Sequence, residues 1–343
     1  MRGAENKPCA ACRPPKLNFY IVSRGIYMAL AALIFYNLFE RFRRSGGAAG
    51  LSRLRGAPSP SRRNVCRTQR PTQQQIEGED RMKTFQKDEL AVKILPTREE
   101  LGRVAAADFA AAVRQLLAQK ESIRVIFAAA PSQNEFLAAA VADESIDFSR
   151  VEAFHMDEYI GLAPQAPQGF GNFLRERIFA RRTFRAVHYL DGQNPDPQAA
   201  CASYAALLNE RPIDIVCMGI GENGHIAFND PSVADFHDPQ TVKVVQLEEV
   251  CRMQQVHDGC FSRLADVPTH AMTLTVPALM KSALRFCMAP ARTKANAARD
   301  MLEGPIGEQC PCTILRRTPG SYLYLDADLS LIHISEPTRL RRI

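Results

Sequence analysis

From Ala91 onward the chain alternates short apolar runs with longer stretches whose apolar residues recur at helical spacing. AVKIL (91–95) is one such run. Between Thr97 and Lys120, Leu101, Val104, Phe109, Val113, Leu116 and Leu117 fall near every third or fourth position, which predicts an amphipathic helix. The alternation continues with IRVIFAAA (strand), NEFLAAAVA (helix), VEAFHM (strand), NFLRERIFARR (helix), VHYL (strand), QAACASYAALLNE (helix) and IDIVCMG (strand). VKVVQL, AMTLTV, LRFCMA and SYLYLD are further strand candidates, and TKANAARDMLEG is a helix. Strands alternating with helices of about ten residues predict a doubly wound, mainly parallel α/β sheet with helices on both faces. No internal repeat interrupts the pattern.

Both ends depart from this alternation, which sets the expected domain at 82–330. Residues 1–81 hold 15 Lys+Arg against 5 Asp+Glu, while the remainder holds 28 against 32, so the chain's net charge of +6 describes the extension. A slightly acidic body predicts no nucleic-acid partner, which would need a clustered basic face. The apolar run IYMALAALIFYNLF (26–39) is short of the roughly 20 residues that span a bilayer. No membrane partner is expected unless that run, flanked by Arg24, Arg41, Arg43 and Arg44, is an anchor. SGGAAGLSRLRGAPSPSRRN reads as disordered polar sequence, and Met82 opens MKTFQKDELAVKIL. The basic extension 1–81 is therefore expected to be disordered or translated upstream sequence. LIHISEPTRLRRI (331–343) continues no periodicity and is expected to be a non-native tail.

Ten cysteines are spread through the chain. Cys201, Cys217, Cys251, Cys260 and Cys287 lie in apolar or helical segments, as buried free thiols do. Cys9-x-x-Cys12 has no second pair nearby, and Cys310 and Cys312 have the wrong spacing for zinc. The expectation is a reduced, cytoplasmic body without a zinc site at these cysteines.

Three loops at strand ends carry the candidate chemistry. In AAAPSQNE (128–135), Ser132 and Glu135 have capping-box spacing, and a helix N-terminus attracts anions, phosphate included. The bland reading of this segment taken alone is an ordinary capped helix. In FHMDEYIGL (154–162), Asp157 and Glu158 are neighbours whose side chains point in opposite directions. One faces a site while the other makes a structural bond, or both form a solvated acidic turn. In IDIVCMGIGENGHIAFNDP (213–231), glycines at 219, 221 and 224 let backbone approach a ligand. His225 follows with a side chain suited to proton transfer near neutral pH, and Asn229 and Asp230 come shortly after. The bland reading is a tight turn with an exposed histidine. G-I-G-E-N-G also has the spacing of a dinucleotide fingerprint, which needs a helix at its third glycine. HIAFNDPS places turn formers and a proline there instead.

Together these loops resemble the glucosamine-6-phosphate deaminase/isomerase family, in the superfamily that also holds the 6-phosphogluconolactonases. F-H-M-D-E-Y-I-G-L and G-I-G-E-N-G-H-I-A-F-N-D-P carry the resemblance, which runs from about 82 to 330. It implies a Rossmann-like sheet and a metal-free, cofactor-free conversion of glucosamine 6-phosphate and water to fructose 6-phosphate and ammonia. By motif position Asp157 is implied as the base between C2 and C1, and His225 as the group that opens the pyranose ring. Asn223 and Asp230 stand where the well-known deaminases have aspartate and glutamate that orient the histidine. Ala129, Ala130, Ser132 and Gln133 match the phosphate loop, Gly221 and Gly224 the turn beside the sugar, and Lys294 the lysine that meets phosphate. Members often assemble, which leaves a homo-oligomer open. Hydrolysis of a sugar-phosphate lactone is the enzymatic alternative, although M-D-E-Y favours the deaminase branch over the lactonases' D-E-R. A non-catalytic sugar-phosphate sensor is the third reading.

Overall fold

The computed structural model describes residues 82–327. The basic extension, its apolar run at 26–39 and the tail 331–343 lie outside the described residues. The strands are β1 (Lys83–Lys87), β2 (Leu90–Leu95), β3 (Ile123–Phe127), β4 (Val151–His155), β5 (Asp157–Tyr159), β6 (Ala186–Val187), β7 (Ile215–Met218), β8 (Val242–Gln246), β9 (His270–Leu274), β10 (Leu284–Met288) and β11 (Ser321–Asp326). The helices are α1 (Arg98–Leu117), α2 (Asn134–Ala142), α3 (Phe170–Leu174), α4 (Pro197–Asn209), α5 (Glu249–His257), α6 (Val276–Met280) and α7 (Ala295–Glu303).

The main sheet has the order β1-β2-β11-β10-β7-β3-β4-β6, parallel except for the β1–β2 hairpin. From β3 the chain steps outward through β4 and β6, then returns to the other side of β3 for β7, β10 and β11. The direction of winding therefore reverses between β3 and β7, and a crevice opens at such a reversal, outside the carboxyl ends of the strands.

Both faces of this sheet are apolar, which is why its strands read as near-continuous hydrophobic runs. In β3, Ile123, Val125 and Phe127 enter one core cluster, while Ile126 enters the other. The first cluster packs against Leu101, Phe109 and Val113 of α1 and Phe136 of α2. The second packs against Tyr204 and Leu208 of α4 and Met301 of α7. Helix α1 starts where its sequence says: the Thr97 side chain accepts from the Glu100 amide at 3.1 Å, and two acidic residues occupy the first turn. Two arginines inside the sheet satisfy carbonyls that helix ends leave unpaired. Arg124 donates to Leu207 O and Leu208 O at the end of α4, and Arg285 donates to Met280 O at the end of α6.

Two expectations about elements change. The strands expected at VKVVQL and AMTLTV do not join the parallel sheet. They are β8 and β9 of a separate antiparallel sheet of order β5-β9-β8, whose third member comes from the segment expected to be an acidic loop. The helix expected at NFLRERIFARR is α-helical only through Leu174 and widens to a π turn at Arg175–Phe179. Among the described residues no helix is long and apolar enough to cross a membrane.

Candidate active site

Four loops leave the carboxyl ends of β3, β4, β7 and β10, and each carries residues singled out from the sequence. The loop after β3 holds Ala129, Ala130, Ser132 and Gln133. Pro131–Gln133 is a single 3-10 turn that runs into α2. The expected capping box is not formed. Glu135 instead pairs with Arg98 (Nε–Oε1 2.8 Å), and no side chain caps α2. Pro131, which fixes its own φ, builds the turn in place of a cap. Gln133 Nε2 donates to Ser132 Oγ (3.1 Å), Met218 O (3.3 Å) and Met288 O (3.4 Å), so this loop is tied to the ends of both β7 and β10.

After β4, the neighbours Asp157 and Glu158 separate in role. Glu158 accepts from the amides of Tyr159, Phe170 and Gly171 at 2.8–3.0 Å, which fixes the start of α3. The Asp157 side chain is buried, and no hydrogen bond contributes to its electrostatics. Burial, with Glu158 adding to it, pushes the Asp157 carboxyl well above its ordinary proton affinity. His155 supports it from behind. Burial lowers this imidazole to about 4, so it is neutral at pH 7. Its Nε2 accepts from Leu190 N (2.8 Å), which leaves Nδ1–H to donate to Asp157 O (2.9 Å).

The loop after β7 holds His225 by its neighbours. The Asn223 Oδ1 accepts from the His225 amide (3.1 Å), and Asn223 Nδ2 donates to Asp230 Oδ1 (3.0 Å). That same Oδ1 lies 3.1 Å from His225 Nδ1, out of line for a straight hydrogen bond. Burial pushes the Asp230 carboxyl up, but His225 and Asn223 outweigh it and hold it below its usual range. The carboxylate beside the imidazole, which Asn223 cannot supply, is thus that of Asp230. At Gly221 any side chain would collide with the imidazole, since a Cβ there would lie 2.2–2.4 Å from the His225 ring. Gly224 sits at φ +82°, where glycine carries no strain. The far end of the loop is pinned to the second sheet. Thr273 Oγ1 accepts from the Phe228 amide (3.1 Å), and Thr273 is the register partner of Asp157. One β9 residue therefore positions both the acid strand and the histidine loop.

Beyond β10, Lys294 closes a 3-10 turn ahead of α7. Its ammonium is buried with no hydrogen-bond partner among the described residues. Burial lowers its proton affinity, while Asp258, Glu222 and Cys251 oppose that shift. An unpartnered buried cation is costly unless an anion completes it.

Cys251, on α5, relates these groups to one another. One ligand atom each from His225, Asp230 and Cys251 lies within 4.8 Å of the others, a mixed set that a soft divalent cation accepts. Burial raises the Cys251 thiol, and both Asp230 and Asp157 add to that rise. Cys251 also acts on Lys294. Asp157, Asp230 and Lys294 thus all lie within electrostatic reach of Cys251, the thiol that also sits beside His225. The sequence marks Cys251 only as a buried thiol, and Thr273 and His155 carry no signal of their supporting contacts. Their roles depend on pairings across the chain.

The sequence profile of the glucosamine-6-phosphate isomerases/6-phosphogluconolactonase family matches residues 96–324. The chain belongs to this family. Among its relatives, a glucosamine-6-phosphate deaminase from Exiguobacterium sp. is 39% identical over 183 residues, 53% of this chain and 70% of that protein. The solved structure of a monomeric glucosamine-6-phosphate deaminase is 25% identical, with a TM-score of 0.65, and spans 70% of this chain and 98% of its own. A 6-phosphogluconolactonase from Thermotoga maritima, 18% identical with a TM-score of 0.56, spans 69% of this chain and 99% of its own, and shows the shared family fold. The matched range contains every site residue named above.

Proposed function

We propose that this enzyme converts glucosamine 6-phosphate and water to fructose 6-phosphate and ammonia. The observation that supports the reading is a buried carboxylate, a carboxylate-backed imidazole and an unpartnered buried ammonium, each linked to Cys251. The ammonium of Lys294, with Ser132 beside the end of β7, receives the 6-phosphate. His225 protonates the ring oxygen as the C1 hydroxyl gives up its proton, and the pyranose opens to the aldehyde. Asp157 takes the proton from C2 and returns it to C1. This moves the double bond so that the carbon bearing nitrogen becomes an imine. Water adds to that imine, and loss of ammonia leaves the ketone. A carboxylate suits the C2 proton only when a dry setting raises its affinity, which is the setting Asp157 has. Asp230 stabilises the protonated imidazole, and Asn223 holds both partners in register.

The curated relative named above as a deaminase supports this reading over lactone hydrolysis. The seven described cysteines are all free, which favours a reducing, cytoplasmic setting. The test is product analysis with glucosamine 6-phosphate and 6-phosphogluconolactone offered separately to the purified full chain. Equimolar ammonia and fructose 6-phosphate are expected from the first. Hydrolysis of the lactone with no ammonia from the amino sugar would assign the site to the other branch.

A further inference from the structure

Cys310 and Cys312 flank Pro311 at the entrance to the 3-10 turn Pro311–Arg317, and their sulfurs are 3.5 Å apart. They meet the histidine loop directly. The Cys312 amide donates to Gly224 O at 2.9 Å, and a Cβ at Gly224 would lie 2.6 Å from Cys310 Sγ and 3.4 Å from Cys312 Sγ. Gly224 immediately precedes His225. The two thiols are unequal: Cys310 is half-buried and Cys312 fully buried.

We propose that Cys310 and Cys312 form an oxidisable dithiol, closed to a disulfide by a hydroperoxide, and that closure displaces the turn carrying His225. Cys310 is the attacking group. It is the more exposed of the two, and its contact with Cys312 lowers its proton affinity against the opposing effect of burial, while the same contact raises Cys312. The Cys310 thiolate attacks the outer peroxide oxygen. The O–O bond breaks, an alcohol (or water) leaves, and Cys310 becomes a sulfenic acid. The sulfur of Cys312 then attacks that sulfur, the S–O bond breaks, water leaves and the S–S bond forms. Two electrons pass from the dithiol to the peroxide, and an external dithiol reverses the step. Residues two apart in a chain have Cα atoms about 5–7 Å apart, which overlaps the range a disulfide accepts. The sulfurs must close from 3.5 Å to about 2 Å. The Gly224 backbone, pressed against both, moves with them.

The test treats the reduced full chain with stoichiometric hydrogen peroxide and maps thiols by digestion. The tryptic peptide Asp300–Arg316 carries these two cysteines and no others. This peptide is expected to become two hydrogens lighter and to lose maleimide labelling, and Cys310→Ser to abolish the change. Turnover of glucosamine 6-phosphate should fall about tenfold or more, recover with dithiothreitol, and resist peroxide in Cys310→Ser. The activity arm rests on the proposed function, whereas the peptide mass does not. A protein inactive when reduced would refute that function and leave the dithiol to be judged by mass alone. Oxidation confined to other cysteines would overturn the proposal, as would a closed disulfide with unchanged turnover.

Discussion

Asp157 shows how far single residues can be read. On a strand, adjacent side chains diverge, and that rule allows one of Asp157 and Glu158 a structural bond; the three amides on Glu158 give it that part. Which of the two faces inward depends on burial, and the sequence does not carry that. Asp230 is legible as an acid close behind the histidine, but its contact with Nδ1 and with Asn223 needs the folded loop. Cys251 is illegible because α5 brings it to the site from a helix with no motif. The pH dependence follows from the residue scale. Burial makes Asp157 hold its proton to higher pH, and only the ionised carboxylate takes the C2 proton. kcat/KM should therefore rise with pH along an acid limb displaced above the ordinary aspartate value of about 3.9. A pH profile with that limb at the ordinary value would contradict the assigned base.

At the scale of elements, periodicity predicts α1, β3, β4, β7, β10 and β11, all long or predominantly apolar. It fails at β5, which has three residues and finds its partner β9 across more than a hundred positions. The capping box fails because Arg98, remote in sequence, claims Glu135. The second sheet is what fixes the site laterally, and Thr273 is its joint. In Thr273→Val the buried Phe228 amide loses its acceptor, which should cost about 1–3 kcal/mol of stability by chemical denaturation. Turnover should fall as well, since the His225 loop loses its anchor. Full stability and full turnover in this variant would mean that the second sheet does not position the loop.

Across the whole molecule, alternating strands and helices predict the layered sheet, and the order of winding explains where four separate loops converge. The fold is shared with lactonases, so it does not by itself choose the reaction. That choice rests on the residues of the loops at the reversal between β3 and β7, and above all on the proposed action of Asp157 on a sugar held by its phosphate. The most direct test compares Asp157→Asn with the unaltered chain, measuring ammonia release and glucosamine 6-phosphate binding by calorimetry. The account predicts retained binding with turnover reduced about 10²–10⁴-fold, the usual share of a positioned acid–base group. Turnover within a few-fold of the unaltered chain would contradict it.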